Sequence, residues 1–185
     1  MGVINQFLNN ELEKILIESR ETILQEWFTR VVETYPAETS KFLKSQKNPF
    51  ANPVGRAVRN GVEDLFDELL RGLNREHAGA CLDPMIRIRA IQNFTPSEAI
   101  GFIFSLKAII RKIIGKKIFE KNLLQDVYAF ESKIDDLGLI AFDIYMKCRE
   151  KIYEIKANEF RNRHYSAFRR AGLISEVPDD PALKQ

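Results

Sequence analysis

From Leu123 onward the apolar residues Leu123, Val127, Phe130, Ile134, Leu137, Ala141, Ile144 and Cys148 follow one another at steps of 4, 3, 4, 3, 4, 3 and 4. A seam of this kind, sustained over more than three heptads, is the signature of a helix with one continuous apolar edge. Ile152 and Ile155 nearly extend it, and a second apolar stripe, Leu139, Phe142, Tyr145, Met146 and Tyr153, lies on another face. No proline interrupts the stretch between Leu123 and Gly172. An unbroken helix of that extent would be about 75 Å long at 1.5 Å per residue, against a radius of gyration of about 16 Å for a globule of this size. Such a helix must bend, with Gly138 as the natural place, or its end must leave the domain and pack on something else. Two apolar faces suit one side for the core and one for a mate, which makes the seam the expected dimer or partner helix.

The rest of the chain has the same helical period. Residues 6–34 read as one or two helices with Phe7, Leu8, Leu12, Ile15, Leu16, Ile23, Leu24, Trp27, Phe28 and Val31 inward, stopped by Tyr35-Pro36. A short amphipathic turn, 38–46, and a Pro/Asn-rich link, 47–55, follow. Three later helix starts share one device, a side-chain cap followed by proline: Asn52-Pro53, Asp83-Pro84 and Thr95-Pro96. Thr95-Pro96-Ser97-Glu98 is a complete capping box. The helix from Pro53 is expected to end at Gly72 and that from Pro96 at Gly115, both glycines standing where C-terminal caps stand. Residues 86–90 alternate like a strand, but a lone short strand has nothing to pair with, so 84–93 is assigned as a short helix. The fold class is all-α: one helical bundle with a long C-terminal helix.

Composition restricts the function classes. The 185 residues are 45% hydrophobic and 29% charged with a net charge of +2, values of an ordinary globular domain and not of a disordered one. Two cysteines, Cys81 and Cys148, make neither a disulfide scaffold nor a four-ligand zinc site, and point to a reducing compartment. The first ten residues lack the features of a secretory signal, and Gln6 replaces the Ser or Thr of a myristoylation signal. The longest apolar run, 99–106, falls short of the roughly 20 residues that span a bilayer. A cytoplasmic location is expected.

Motifs that carry chemistry are missing. There is no phosphate loop, dinucleotide fingerprint, nucleophile elbow, zinc-protease helix, C-x-x-C pair or calcium loop. His77 and His164 read as solvated, and neither occupies the helix-interior position a haem ligand needs. Asp135 and Asp136 diverge by about 100° on a helix and cannot face one substrate together; Asp179 and Asp180 belong to a polar tail. Cys148, on the seam, reads as a small buried apolar residue. The expectation is a protein without catalysis and without a cofactor or metal.

Charge is unevenly spread. Residues 107–121 hold six basic residues against Glu120, net +5; residues 147–170 hold eight against three glutamates, net +5; residues 1–40 hold seven glutamates against three basic residues, net −4. With no recognisable nucleic-acid reader present, nucleic acid is a poor fit. Lys112, Lys116, Lys117, Arg161, Arg163 and Arg169 are instead the expected basic docking surface for an acidic partner.

Several segments resemble the N-terminal sensor domain of the RsbRD-type co-antagonist proteins of bacterial stress signalling. They are Glu26-Trp27, Thr34-Tyr35-Pro36, KFLKSQKNPFANPVG (41–55), DPMIRIRAIQNFTPSEAIGFIFSLK (83–107) and LIAFDIYMKCREKIYEI (139–155). The resemblance covers about residues 5–160 and implies a globin-like arrangement without haem, working as a homodimeric sensor or regulatory module. It sets a sensor domain at 1–160 and a helical linker remnant with a polar tail at 161–185. In full-length relatives that linker leads to a STAS output domain, for which residues up to Gln185 leave no room. The alternatives left open are an adaptor docking on a larger complex, a redox complex included, and a sensor of haem or a small apolar ligand held between the helices at 53–72, 96–115 and 123–155.

Overall fold

The computed structural model describes residues 10–45, 51–92 and 94–173. These form seven helices and, among the described residues, no strand: α1 (Asn10–Glu18), α2 (Arg20–Glu33), α3 (Ala37–Ser45), α4 (Pro53–Arg71), α5 (Arg75–Ile91), α6 (Pro96–Glu120) and α7 (Leu124–Arg170). The chain divides into two units, Met1–Cys148 and Arg149–Gln185, a division that falls inside α7 and before the 160/161 boundary expected from the sequence. In the first unit α2 is central and packs on α3, α4 and α6, while α4 packs on α5. The core runs through all seven helices, from Leu12 on α1 to Tyr145 on α7, with Trp27 completely enclosed. The Trp27 indole N–H donates to the Phe102 carbonyl at 2.9 Å, which meets the one polar demand its burial creates.

Two of the three cap-proline starts occur as read. The Asn52 side chain accepts from the Gly55 N–H at 2.8 Å and donates to the Leu43 carbonyl at 3.1 Å, fastening the start of α4 to the end of α3. At α6 the Thr95 N–H and hydroxyl both donate to the Glu98 carboxylate, at 2.9 and 2.8 Å, and Thr95 Oγ1 accepts from the Glu98 N–H, completing the capping box. Gly72 ends α4 at φ 110°, in the left-handed region that favours glycine.

Two expected boundaries are corrected. Asp83-Pro84 does not start a helix: α5 begins at Arg75, where Asn74 Oδ1 accepts the N–H groups of Glu76 and His77 at 3.0 and 3.1 Å, and Pro84 lies inside it. The proline ring is on the exposed side, whereas Leu82, Met85, Ile86 and Ala90 are buried. Their burial, about 1.5–3 kcal/mol for each large apolar side chain, outweighs the roughly 3 kcal/mol an interior proline costs. Asp83 instead accepts two bonds from Arg87, one turn on. Gly115 does not end α6 either. The helix continues because Ile114 and Ile118 are buried, and it closes at Asn122, whose φ is 54°. There the Leu123 N–H reaches the Ile118 carbonyl at 2.9 Å and the Asn122 N–H the Phe119 carbonyl at 3.3 Å, a Schellman closure sealed by buried Ile118 and Leu123. Gly172 closes α7 in the same way, at φ 68°. Residues 6–9, including Phe7 and Leu8, and the first part of the 47–55 link, 47–50, lie outside the described residues, as do Asp179 and Asp180.

Candidate functional site

The expected partner helix is α7, and the structure assigns its faces. Leu123, just before the helix, and Val127, Phe130, Ile134, Leu137 and Ala141 are buried in this chain's own core, while Ile144 and Cys148 are half-buried against it. The seam expected to meet a mate is therefore the core-facing side of the helix. There α7 lies against α6 and α5, with the Phe104 ring at Gly138 and Ile140 near Gly79, and packing within the chain carries no association cost. What faces outward on the first unit's part of α7 is the other stripe, Leu139, Phe142 and Met146; Tyr145 of that stripe is buried and donates its hydroxyl to the Phe94 carbonyl at 2.5 Å.

Contacts at fixed points hold this face in place. The Arg111 guanidinium makes two bonds to the buried Glu131 carboxylate, at 2.6 and 2.5 Å, and this carboxylate raises the arginine's pKa. Lys107 pairs with Asp135 and Arg75 with Asp143, each at 2.5 Å. At Gly138 the Phe104 ring lies so close that an added Cβ would stand 2.3 Å from its edge. Phe104, itself exposed, thus joins Leu139, Phe142 and Met146 in one outward apolar patch.

The basic docking surface separates into two parts. Lys112 pairs with Glu26 at 2.7 Å, Lys117 with Glu18 at 3.2 Å, and Lys121 with Glu11. The acidic N-terminal helices and the basic end of α6, far apart in sequence, are therefore each other's counter-charges. Lys112 and Lys117 are occupied, and Lys116 is exposed without an ion pair among the described residues. Arg161, Arg163 and Arg169 belong to the second unit, where every residue from Tyr153 to Leu173 is exposed.

Sequence reasoning missed the most unusual side chain. Arg89, on α5, is 0% exposed, and among the described residues no carboxylate pairs with it. Its guanidinium donates to the Val31 carbonyl at 3.1 Å, to Thr34 Oγ1 at 2.8 Å and to the Glu98 carbonyl at 3.0 Å, while Nε finds no partner. The rings of Tyr35, Phe94 and Phe102 face it at 5.1, 5.0 and 4.9 Å. Burial pulls its pKa down, against the opposing pull of Tyr35. The negative potential it needs comes from the carbonyl end of α2 and from its own place in the last turn of α5. The signal was present: on a helix Arg89 shares the face of Leu82, Met85, Ile86 and Ala90, so the strand-like alternation of 86–90 concealed a buried arginine.

Among the described residues the histidines, the cysteines and the Asp135-Asp136 pair stand apart from one another. His77 is exposed, with Nδ1 4.0 Å from the Glu68 carboxylate, which also accepts the Asn74 N–H at 2.6 Å. Cys81 and Cys148 are unbridged, and burial together with Asp64 and Glu68 pushes the Cys81 thiol up, away from the reactive thiolate. His164 is exposed in the second unit, and Asp135 and Asp136 point to different partners or to solvent. Among the described residues no three His, Cys, Asp or Glu side chains are grouped to hold a metal ion, and no helix is long and apolar enough to cross a membrane.

The family model of the RsbT co-antagonist protein rsbRD N-terminal domain matches residues 21–159. The chain is also similar to an uncharacterized protein of Archaeoglobus fulgidus, 26% identical over 146 residues that cover 76% of this chain and 83% of that protein. No solved structure matches it significantly.

Proposed function

The chain belongs to the RsbT co-antagonist protein rsbRD N-terminal domain family, and from that membership we propose that it is a non-catalytic, cytoplasmic regulatory module that works as a homodimer and acts on a protein partner. The observation that carries the reading is the two-sidedness of α7. One face is committed to the core, and the other presents Leu139, Phe142 and Met146 beside Phe104. A contiguous outward patch of large apolar side chains, rimmed by the Arg75–Asp143 and Lys107–Asp135 pairs, has the make-up of a protein contact. Any shift of the core helices moves this face with them, because the same helix bears both. A signal passes only where its ligand or partner favours one packing over the other.

Sedimentation at micromolar concentration tests the reading. The expected mass is twice the 21.4 kDa of one chain, and the double substitution L139D/F142D should give a folded monomer with unchanged helix content by circular dichroism. A wild-type monomer at that concentration overturns it.

A further inference from the structure

We propose that the second unit's part of α7 is a docking face for an acidic amphipathic helix of another protein. Tyr153, Ala157, Phe160, His164 and Ala167 recur at steps of 4, 3, 4 and 3, a heptad stripe distinct from the core seam. All five are exposed, Phe160 at 66%. The His164 ring lies 4.0 Å from that of Phe160 and 6.3 Å from that of Phe168, so the stripe is a preformed ridge of rings. A helix with an apolar edge of this length draws its stability from packing, and here that edge has no cover from its own unit.

The flank of the stripe identifies the occupant. Arg149, Lys156, Arg163 and Arg170 stand at one heptad position, seven residues apart, all on the same side of the ridge. The opposite flank carries Glu154, Arg161 and Phe168, and Lys151 already engages Glu154 at 2.7 Å. Residues 149–170 hold seven basic residues against three glutamates, net +4. A second copy fits poorly. Antiparallel, the basic ladder would face itself; parallel, the attraction of Arg149 to Glu154 is offset by Lys156 against Arg161. A helix with apolar residues every three and four positions and Glu or Asp beside them would meet the ridge and the whole ladder at once. Arg149 already lies over the Tyr153 ring at 5.0 Å and donates to its hydroxyl at 2.9 Å, so the start of the ladder is continuous with the ridge. The inference rests on the reading of the chain as a partner-binding module and not on its dimerisation.

The test is fluorescence anisotropy with the full chain and a labelled three-heptad peptide carrying Leu at the apolar positions and Glu on both flanks. Controls are its scrambled form and the same peptide with Lys for Glu. The Glu peptide should bind at micromolar concentration and lose affinity with salt. K156E/R163E should weaken it about twentyfold, from two attractions turned into repulsions, and should give the Lys peptide new affinity; F160D should abolish binding while helix content is kept. L139D/F142D should leave peptide binding intact, so a failed dimer and a failed docking face give different results. The proposal is overturned if the Glu peptide binds no better than its scramble. It is overturned equally if F160D dissociates the chain's own dimer, which would make a second copy the occupant, or if the chain binds phosphatidylglycerol vesicles and ignores the peptide.

Discussion

Arg89 offers the sharpest test of how the core is held together. Three of its bonds are charge-assisted, each worth about 1.5–3 kcal/mol once formed, but taking an unpaired cation out of water costs several kcal/mol. The two effects nearly offset, so the outcome of a substitution depends on what it leaves behind. Arg89→Met fills most of the same volume and removes the charge. The Val31 carbonyl then still accepts the Thr34 N–H at 3.3 Å and its hydroxyl at 2.7 Å, so that acceptor is not orphaned. A loss of only about 1–2 kcal/mol is expected. Arg89→Ala opens a cavity among Tyr35, Phe94 and Phe102 and should cost about 3–5 kcal/mol. Arg89→Lys keeps a buried charge but loses the planar fork that reaches three acceptors and stacks on three rings, and should cost about 3–4 kcal/mol, more than Met. Trp27 is the single tryptophan and lies against Phe102, ring centres 6.4 Å apart, so its fluorescence reports on this junction directly. Guanidinium chloride unfolding followed by that signal gives the order wild type, Met, then Lys and Ala. At roughly 2–4 °C per kcal/mol for a chain of this size, thermal midpoints should follow the same order. If Lys matches wild type, or Met is as damaging as Ala, the argument that charge burial and its bonds nearly cancel is wrong.

Three further predictions concern α6 and its ends. Gly115→Ala should stabilise the protein by about 0.5–1 kcal/mol in the same unfolding assay, because a Cβ there meets nothing within 4 Å and the position is interior to α6; a loss would restore it as a cap. Asn122→Val should cost about 1–2 kcal/mol, since a β-branched residue does not tolerate the left-handed turn that closes α6, while Asn122→Gly should be close to neutral. The third is a dependence on pH. Hydrogen bonds from Thr95 hold the Glu98 carboxyl below its ordinary value of 4.5, and Lys121 does the same for Glu11. With folded values depressed, the unfolded chain binds more protons in this range, so the stabilisation is present above pH 4.5 and lost as pH falls through the folded values. Denaturation midpoints measured across that interval should decline, and the decline should be shallower in Glu98→Gln.

The all-α class, the heptad seam, the capping box at Thr95 and the stop at Gly72 were legible in the sequence because each depends on near neighbours. Periodicity is set by the helix repeat, and a cap is a contact across three residues. The misplaced ends were those where two local signals competed. Asp83-Pro84 and Gly115 have the residues of a boundary, but buried Ile86, Ile114 and Ile118 carry the helix through, and burial is a property of distant segments. The same holds at the surface. The basic run 107–121 looked like an open patch because its counter-charges, Glu11, Glu18 and Glu26, lie about a hundred residues earlier.

The sequence by itself determined that this chain is of the all-α class and that its long last helix carries two apolar stripes. Tertiary structure decided which edge is spent on the core, which lysines are already neutralised, and that an arginine could be enclosed with carbonyls and rings instead of a carboxylate. The physical reason is range. Helical periodicity and capping act within one or two turns, whereas burial and charge pairing depend on which remote residues the fold brings within a few ångströms.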